Sequence, residues 1–193
     1  TSMWWDLQGL TVDSVHWNGN AVPFEQSGPE LHVDAPAPLT EGEAVVLQVW
    51  YGGQPNDDPY WGGVYYASDL IYNLGIGLTS IPPNFGKVWY PCFDNFVERA
   101  TYTYHITSAG GRRAHNQGHL VEEVALGGDT IRTTWALDHP IPTHLSAMAV
   151  GPYVDHDYEH EGEYGTIPVR LTGKAGDINA CLLYTSPSPR DLP

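Results

Sequence analysis

The chain has 193 residues, 41% of them hydrophobic and 12% aromatic, and a net charge of −15, which is enough length for a domain with a real core. No run of 18 apolar residues is present to cross a membrane as a helix, and no Lys or Arg precedes Lys87 although ten Asp or Glu do, which argues against a nucleic-acid partner. The acidity fits either attraction for cationic ligands such as peptide amines or solubility in a periplasmic or extracellular setting, and two cysteines, Cys92 and Cys181, make neither a disulfide framework nor a zinc cluster.

Thr1 to Asp6 lacks the basic and apolar run of a signal peptide and reads as an entry into mid-domain sequence, with the N-terminus incomplete. Leu10 to Trp17 predicts a strand, and Asn18-Gly19 supplies the positive-φ pair of a tight hairpin. Residues 25 to 43 are rich in Pro, Gly and acids, which predicts loops around one short strand near Leu31 to Val33. Ala44 to Tyr51 is a dense apolar run bounded by glycines and predicts a central strand. After a polar turn at Gln54 to Tyr60, Val64 to Tyr66 and Leu70 to Tyr72 are short strand candidates.

Residues 72 to 107 organise the chain. Gly75, Gly77, Pro82, Pro83 and Gly86 predict a loop. The aromatic knot Trp89-Tyr90-Pro91-Cys92-Phe93-Asp94 follows, and then Ala100 to Thr107 alternates Tyr102, Tyr104 and Ile106 against Thr101, Thr103, His105 and Thr107. That period of two predicts a half-buried strand. Beyond it, Ala109 to Gly118 reads as a long connection, and Leu120 to Val124 and Thr130 to Leu137 as strands joined at Gly127-Gly128-Asp129. Leu145 to Val150 predicts a buried strand, and Thr166 to Leu171 an edge strand, because Pro168 cannot donate to a central ladder. No helical periodicity is sustained, so the predicted class is all-β, as a sandwich or an open, curved pair of sheets.

Pro91-Cys92-Phe93-Asp94 followed by an alternating strand resembles the N-terminal domain of the zinc aminopeptidase N and leukotriene hydrolase family. Leu10 to Val15 with Asn18-Gly19 is similar to that domain's opening hairpin, Val49-Trp50-Tyr51-Gly52-Gly53 and Gly62 to Tyr66 to its central strands, and Ile141 to Tyr153 to its last strand; the likeness covers roughly residues 7 to 172. The resemblance implies a saddle-shaped, mostly antiparallel, non-catalytic β-domain lying against a catalytic domain of the same protein, with peptides as substrate. It also implies zinc in that catalytic domain, held by H-E-x-x-H and a downstream Glu. Neither H-E-x-x-H nor the family's G-x-M-E-N segment occurs here, so no catalytic or metal-binding residue is assigned to this chain. Where the family commonly reads T-Q-x-E, with its Gln or Glu holding the substrate amine, this sequence has Thr79, Ser80, Ile81 and Pro82. Only Thr79 matches, so Ser80 and Pro82 stand in place of the anchors.

Other patterns carry simpler readings. His156-Asp157-Tyr158-Glu159-His160 fits an inverted zinc motif, but the flanking glycines and Pro152 are not helical. On a strand the two His would lie about 13 Å apart, too far to share an ion. Asp155, Asp157, Glu159, Glu161 and Glu163 alternate, which predicts a solvated acidic face on an edge hairpin rather than a calcium site. Cys92 reads as a buried structural thiol, Trp89, Tyr90 and Phe93 as core, and Asp94 as a brace for backbone donors. Residues 1 to 180 are expected to form the β-domain, incomplete at both ends. Residues 181 to 193 are expected to be a non-native tail, a translated sequencing-adapter remnant, or else a Pro/Ser linker. Two further readings remain: a free-standing β-sandwich module binding polysaccharide or protein through exposed Trp and Tyr, and a scaffold homologue without zinc.

Overall fold

The first fifty residues fold as two facing three-stranded sheets. The computed structural model describes residues 2–163 and 165–178. Six strands come first: β1 (Ser2–Asp6), β2 (Thr11–Trp17), β3 (Asn20–Ala21), β4 (Phe24–Ser27), β5 (Glu30–Asp34) and β6 (Leu47–Gly52). They pair as β1-β5-β4 and β3-β2-β6, all antiparallel. Asn18 and Gly19 both take positive φ, as the expected hairpin demands. Asn18 also binds residue 46 twice, its amide donating to the Val46 carbonyl and its side-chain oxygen accepting from the Val46 amide.

A bulge at Asp13 shifts the phase of β2, so that Val12 faces inward together with Val15 and Trp17. The backbone groups it disturbs are served from the other sheet. Gln26 accepts from the Val12 amide at 3.0 Å and donates to the Leu10 carbonyl at 2.6 Å. Between the sheets lie Leu7, Leu10, Val12, Val15, Trp17, Leu31 and Val33, all buried.

Three expectations change here. Ser2–Asp6 is a strand, paired residue for residue with β5. Residues 25 to 43 hold two strands rather than one, because the turn at Ser27 to Glu30 folds Phe24 and Leu31 toward the same core. The run from Ala44 enters a strand only at Leu47, and β6 is the edge of its sheet rather than a central strand. Its alternation turns Leu47, Val49 and Tyr51 inward and leaves Trp50 exposed.

The next strands are β7 (Gly63–Ala67), β8 (Leu70–Leu74), β9 (Arg99–Ser108), β10 (Arg113–Asn116), β11 (His119–Gly127), β12 (Thr130–Pro142) and β13 (Met148–Gly151). They form two antiparallel sheets, β10-β13-β8-β7 and β11-β12-β9. The alternation of β9 is as expected, with Tyr102, Tyr104 and Ile106 on the covered side. The supposed connection at 109 to 118 contains β10, which four polar or small residues concealed. The stretch 145 to 150 divides into a 3-10 turn at Thr143–Leu145, with Leu145 exposed, and β13. Trp135 of β12 donates its indole N–H to the Ala114 carbonyl of β10 at 3.0 Å and ties the two sheets together.

The last strands, β14 (Tyr153–Gly162) and β15 (Gly165–Lys174), form a long two-stranded ribbon. Pro168 lies in β15, whose one partner among the described residues is β14, so the edge placement holds. The tail from Cys181 to Pro193 lies outside the described residues. The fold is all-β.

Leu31 is fully buried between the first two sheets, so Leu31→Ala removes contacts on both sides and leaves a void. It is expected to cost about 2–5 kcal/mol in urea unfolding, whereas Val121→Ala, exposed on β11, changes stability by less than about 0.5 kcal/mol.

Candidate functional site

Pro91 and the extended backbone around it set the geometry of the knot: Cys92 and Asp94 turn inward and Phe93 turns out. Cys92 exchanges two backbone hydrogen bonds with Asp6 of β1, at 2.8 and 3.1 Å. Its thiol is buried and free, and burial first, then the nearby Asp94 and Asp6 carboxylates, pushes its pKa up, which leaves it a poor nucleophile. Trp89 and Tyr90 belong to an aromatic group with Tyr102 and Tyr104, the last two stacked at 5.5 Å. The Tyr90 hydroxyl donates to the Thr143 carbonyl at 3.1 Å, and burial raises the phenol's pKa. Phe93 departs from the core placement expected of it. It is 42% exposed and meets only the rim, with Trp5 at 5.6 Å.

Asp94 is a brace, as expected. One carboxylate oxygen accepts from the Thr143 hydroxyl at 2.8 Å, and the other accepts from the Lys87 amide at 3.2 Å with the Lys87 ammonium at 3.6 Å. The Asp94 amide donates to the Asp6 carboxylate at 2.9 Å. A second, unexpected carboxylate organises the loops above. Asp58 is buried and accepts from the amides of Tyr60 at 3.0 Å, Trp61 at 3.2 Å and Thr79 at 2.8 Å, and from the Thr79 hydroxyl. Burial alone would raise its pKa, but the Thr79 hydroxyl and the three amides outweigh that and hold the carboxyl well below the ordinary range. Gly77 lets the clamp close, because a Cβ there would stand 2.6 Å from the Ser80 hydroxyl and 3.0 Å from the Asp58 carboxylate. The legible signal for Asp58 is Asp-Pro followed by free backbone amides, an Asx-turn pattern.

Thr79 therefore serves the clamp. Ser80 buries its hydroxyl without a partner, and Ile81, at 97% exposure, and Pro82 face outward. Of the acidic ladder, Asp157, Glu159 and Glu161 are exposed as expected, and Asp155 alone is drawn in. Asp155 accepts from His115 at 3.0 Å and Thr172 at 2.7 Å and lies 3.5 Å from Arg113, while Asp157 forms a two-pronged pair with Arg170 at 2.6 and 2.7 Å. Glu163 lies past the end of β14, in the turn, and leaves the ladder. Burial lowers the pKa of His115 despite the facing Asp155. His156 and His160 sit along β14, as a strand reading requires, and among the described residues no three His, Cys, Asp or Glu side chains gather so as to hold a metal ion.

An M1 zinc metallopeptidase of Deinococcus radiodurans, solved with a Tyr-Ser-Ala substrate, superposes with a TM-score of 0.80 at 26% identity, over 91% of this chain and 40% of that one. The chain is similar over most of its length to M1 zinc metallopeptidases. Legionella pneumophila aminopeptidase A shares the fold at a TM-score of 0.75 and 16% identity, over 93% of this chain and 21% of its own. Among curated proteins, the glutamyl aminopeptidase of Bitis rhinoceros is 27% identical over 109 residues, 55% of this chain and 11% of that protein. Transcription initiation factor TFIID subunit 2 of Danio rerio is 28% identical over 162 residues, 79% of this chain and 13% of that protein. No family model matches. The chain thus spans less than half the length of the M1 relatives it matches.

Two expectations follow for this domain. Asp94→Ala strands the Thr143 hydroxyl and Lys87 amide and is expected to cost about 3 kcal/mol in urea unfolding, against about 1 kcal/mol for Thr143→Val. Asp58 has a folded pKa below its unfolded value near ~3.9, so the stability it contributes is present above that pH and is lost as pH falls through the folded pKa. Protection of the Thr79 amide against hydrogen exchange, relative to an unstructured amide at the same pH, is expected to be high at neutral pH, to fall only in strong acid, and to be low at every pH in Asp58→Ala.

Proposed function

We propose that this domain covers one side of the active-site cleft of a zinc-dependent aminopeptidase-like protein and helps to admit peptide N-termini. The observation that carries the proposal is the superposition on the Deinococcus radiodurans metallopeptidase, which takes in 91% of this chain but only 40% of that protein. The described residues do not fit a zinc site, so in this proposal the metal belongs to residues outside them, in a catalytic domain of the same protein. The domain contributes packing and the Ile76 to Pro83 loop. That loop presents Ile81 outward and turns the Ser80 hydroxyl inward, so it offers no charge to hold a substrate amine. The specificity therefore differs from that of aminopeptidases which anchor the amine through this loop. The same superposition disfavours a free-standing sugar- or protein-binding module.

A second reading is favoured by the zebrafish relative, whose name describes a transcription factor subunit and no peptidase. In it, the whole protein keeps the architecture as a scaffold without zinc. One experiment separates the two: the protein from the uninterrupted gene is assayed for bound zinc and for hydrolysis of aminoacyl reporters. Zinc with chelator-sensitive hydrolysis is the expected result. Absence of both, with zinc supplied, would establish the scaffold instead.

A further inference from the structure

Among the described residues the ribbon β14–β15 pairs with no other strand, so side chains fix its place against the body. Asp155 accepts from His115 of β10 at 3.0 Å, the Tyr153 and His115 rings meet edge to face at 5.5 Å, and the Lys174 ammonium donates to Asp69 at 2.9 Å. These anchors share one end of the ribbon, where Tyr153 stands opposite Lys174 and Asp155 opposite Thr172. Beyond them an open groove of about 710 Å³ separates the ribbon from the start of β11, a size that suits a small molecule.

Leu120, Trp135 and Val169 give the groove its apolar surface, and His119, Asp157, Glu159 and Arg170 its polar one. Trp135 spends its indole N–H on the Ala114 carbonyl, so it offers the groove hydrocarbon alone. The charges are unevenly answered. Asp157 and Arg170 neutralise each other through two hydrogen bonds, at 2.6 and 2.7 Å. Glu159 follows Asp155 and Asp157 along the same side of β14, and its carboxylate has no hydrogen bond or ion pair among the described residues. An anion would find the one guanidinium there already taken. A metal ion would find no third ligand.

We propose that the groove binds a small organic cation, an ammonium on an apolar or aromatic body, with the body against Leu120, Trp135 and Val169 and the ammonium at the Glu159 carboxylate. An aromatic floor beside an unanswered carboxylate favours a cation over a neutral molecule of the same shape. The site is independent of the proposed function: every residue it uses lies in this chain, and none belongs to the Ile76 to Pro83 loop.

The test titrates the isotope-labelled 193-residue chain with phenethylammonium, phenethyl alcohol and phenylpropionate, three probes with one ring and different charge, and follows amide chemical shifts. Amides 118 to 120, 157 to 159, 169 and 170 are expected to move with phenethylammonium and to saturate with a Kd of about 1 mM, as befits so small a ligand. The alcohol should bind about three- to fivefold more weakly, the share of one exposed charge pair, and the carboxylate more weakly still. Glu159→Lys changes an exposed side chain and should reverse the order of the ammonium and the carboxylate. Glu41→Lys makes the same change of charge at an exposed turn elsewhere and should leave the order as it is. Absence of saturable shifts up to about 20 mM of any probe would overturn the proposal, as would equal binding of ammonium and carboxylate by the unaltered chain. Equal weakening by Glu41→Lys and Glu159→Lys would also overturn it, because the net charge of the chain, rather than the groove, would then be what draws the cation.

Discussion

A buried carboxylate must be met from several sides, and Asp94 shows what that requirement builds. Desolvation would make an isolated charge there intolerable, so the fold brings the amide and the ammonium of Lys87 and the hydroxyl of Thr143 to it. Lys87 lies seven residues from Asp94 and Thr143 forty-nine. Together with the Asp6–Cys92 backbone pair, they fasten the first sandwich to the aromatic layer and to the turn that leads into β13. The position of every loop at that end follows from this junction.

The loops above it are shaped by polar side chains that each serve two or more backbone groups. Asp58 gathers three amides and a hydroxyl, Asn95 two amides, and Gln26 repairs the bulge in β2 from the facing sheet. Because polar groups fix the backbone, the apolar side chains of these loops are not needed to hold them. That leaves Tyr60, Leu78 and Ile81 free to project. The distribution of apolar residues is thus inverted relative to the sheets, where alternation turns the large side chains in.

Strands with a clear period of two were legible in the sequence. β2, β9, β11 and β12 announce themselves by alternation or by a glycine turn between two runs. β4 and β10 did not, because four-residue strands of mixed polarity carry too few alternations to stand out. β6 was placed at the centre because a run of apolar residues cannot tell a strand buried on both faces from an edge strand with one exposed Trp. At the candidate site, Asp94 and Cys92 were legible from the knot itself. For Asp58 the sequence offers only a local Asx-turn pattern; its clamp on Thr79, which lies 21 residues away and reaches it through a hairpin, was not legible. Phe93 failed for a local reason: between two inward side chains in extended backbone, the middle one must face out.

The Asp6–Asp94 contact spans 88 positions of chain. On the ribosome, which delivers residues in order, β1, β2 and β5 can assemble around Leu31 while the segment that locks them is still unmade. The bridging partners of Asp6 emerge only with Cys92 and Asp94. Synthesis therefore passes through an interval in which the first sandwich exists without its fastening. The apolar run from Val45 to Tyr51 is translated within that interval, and its earliest available partner is β2.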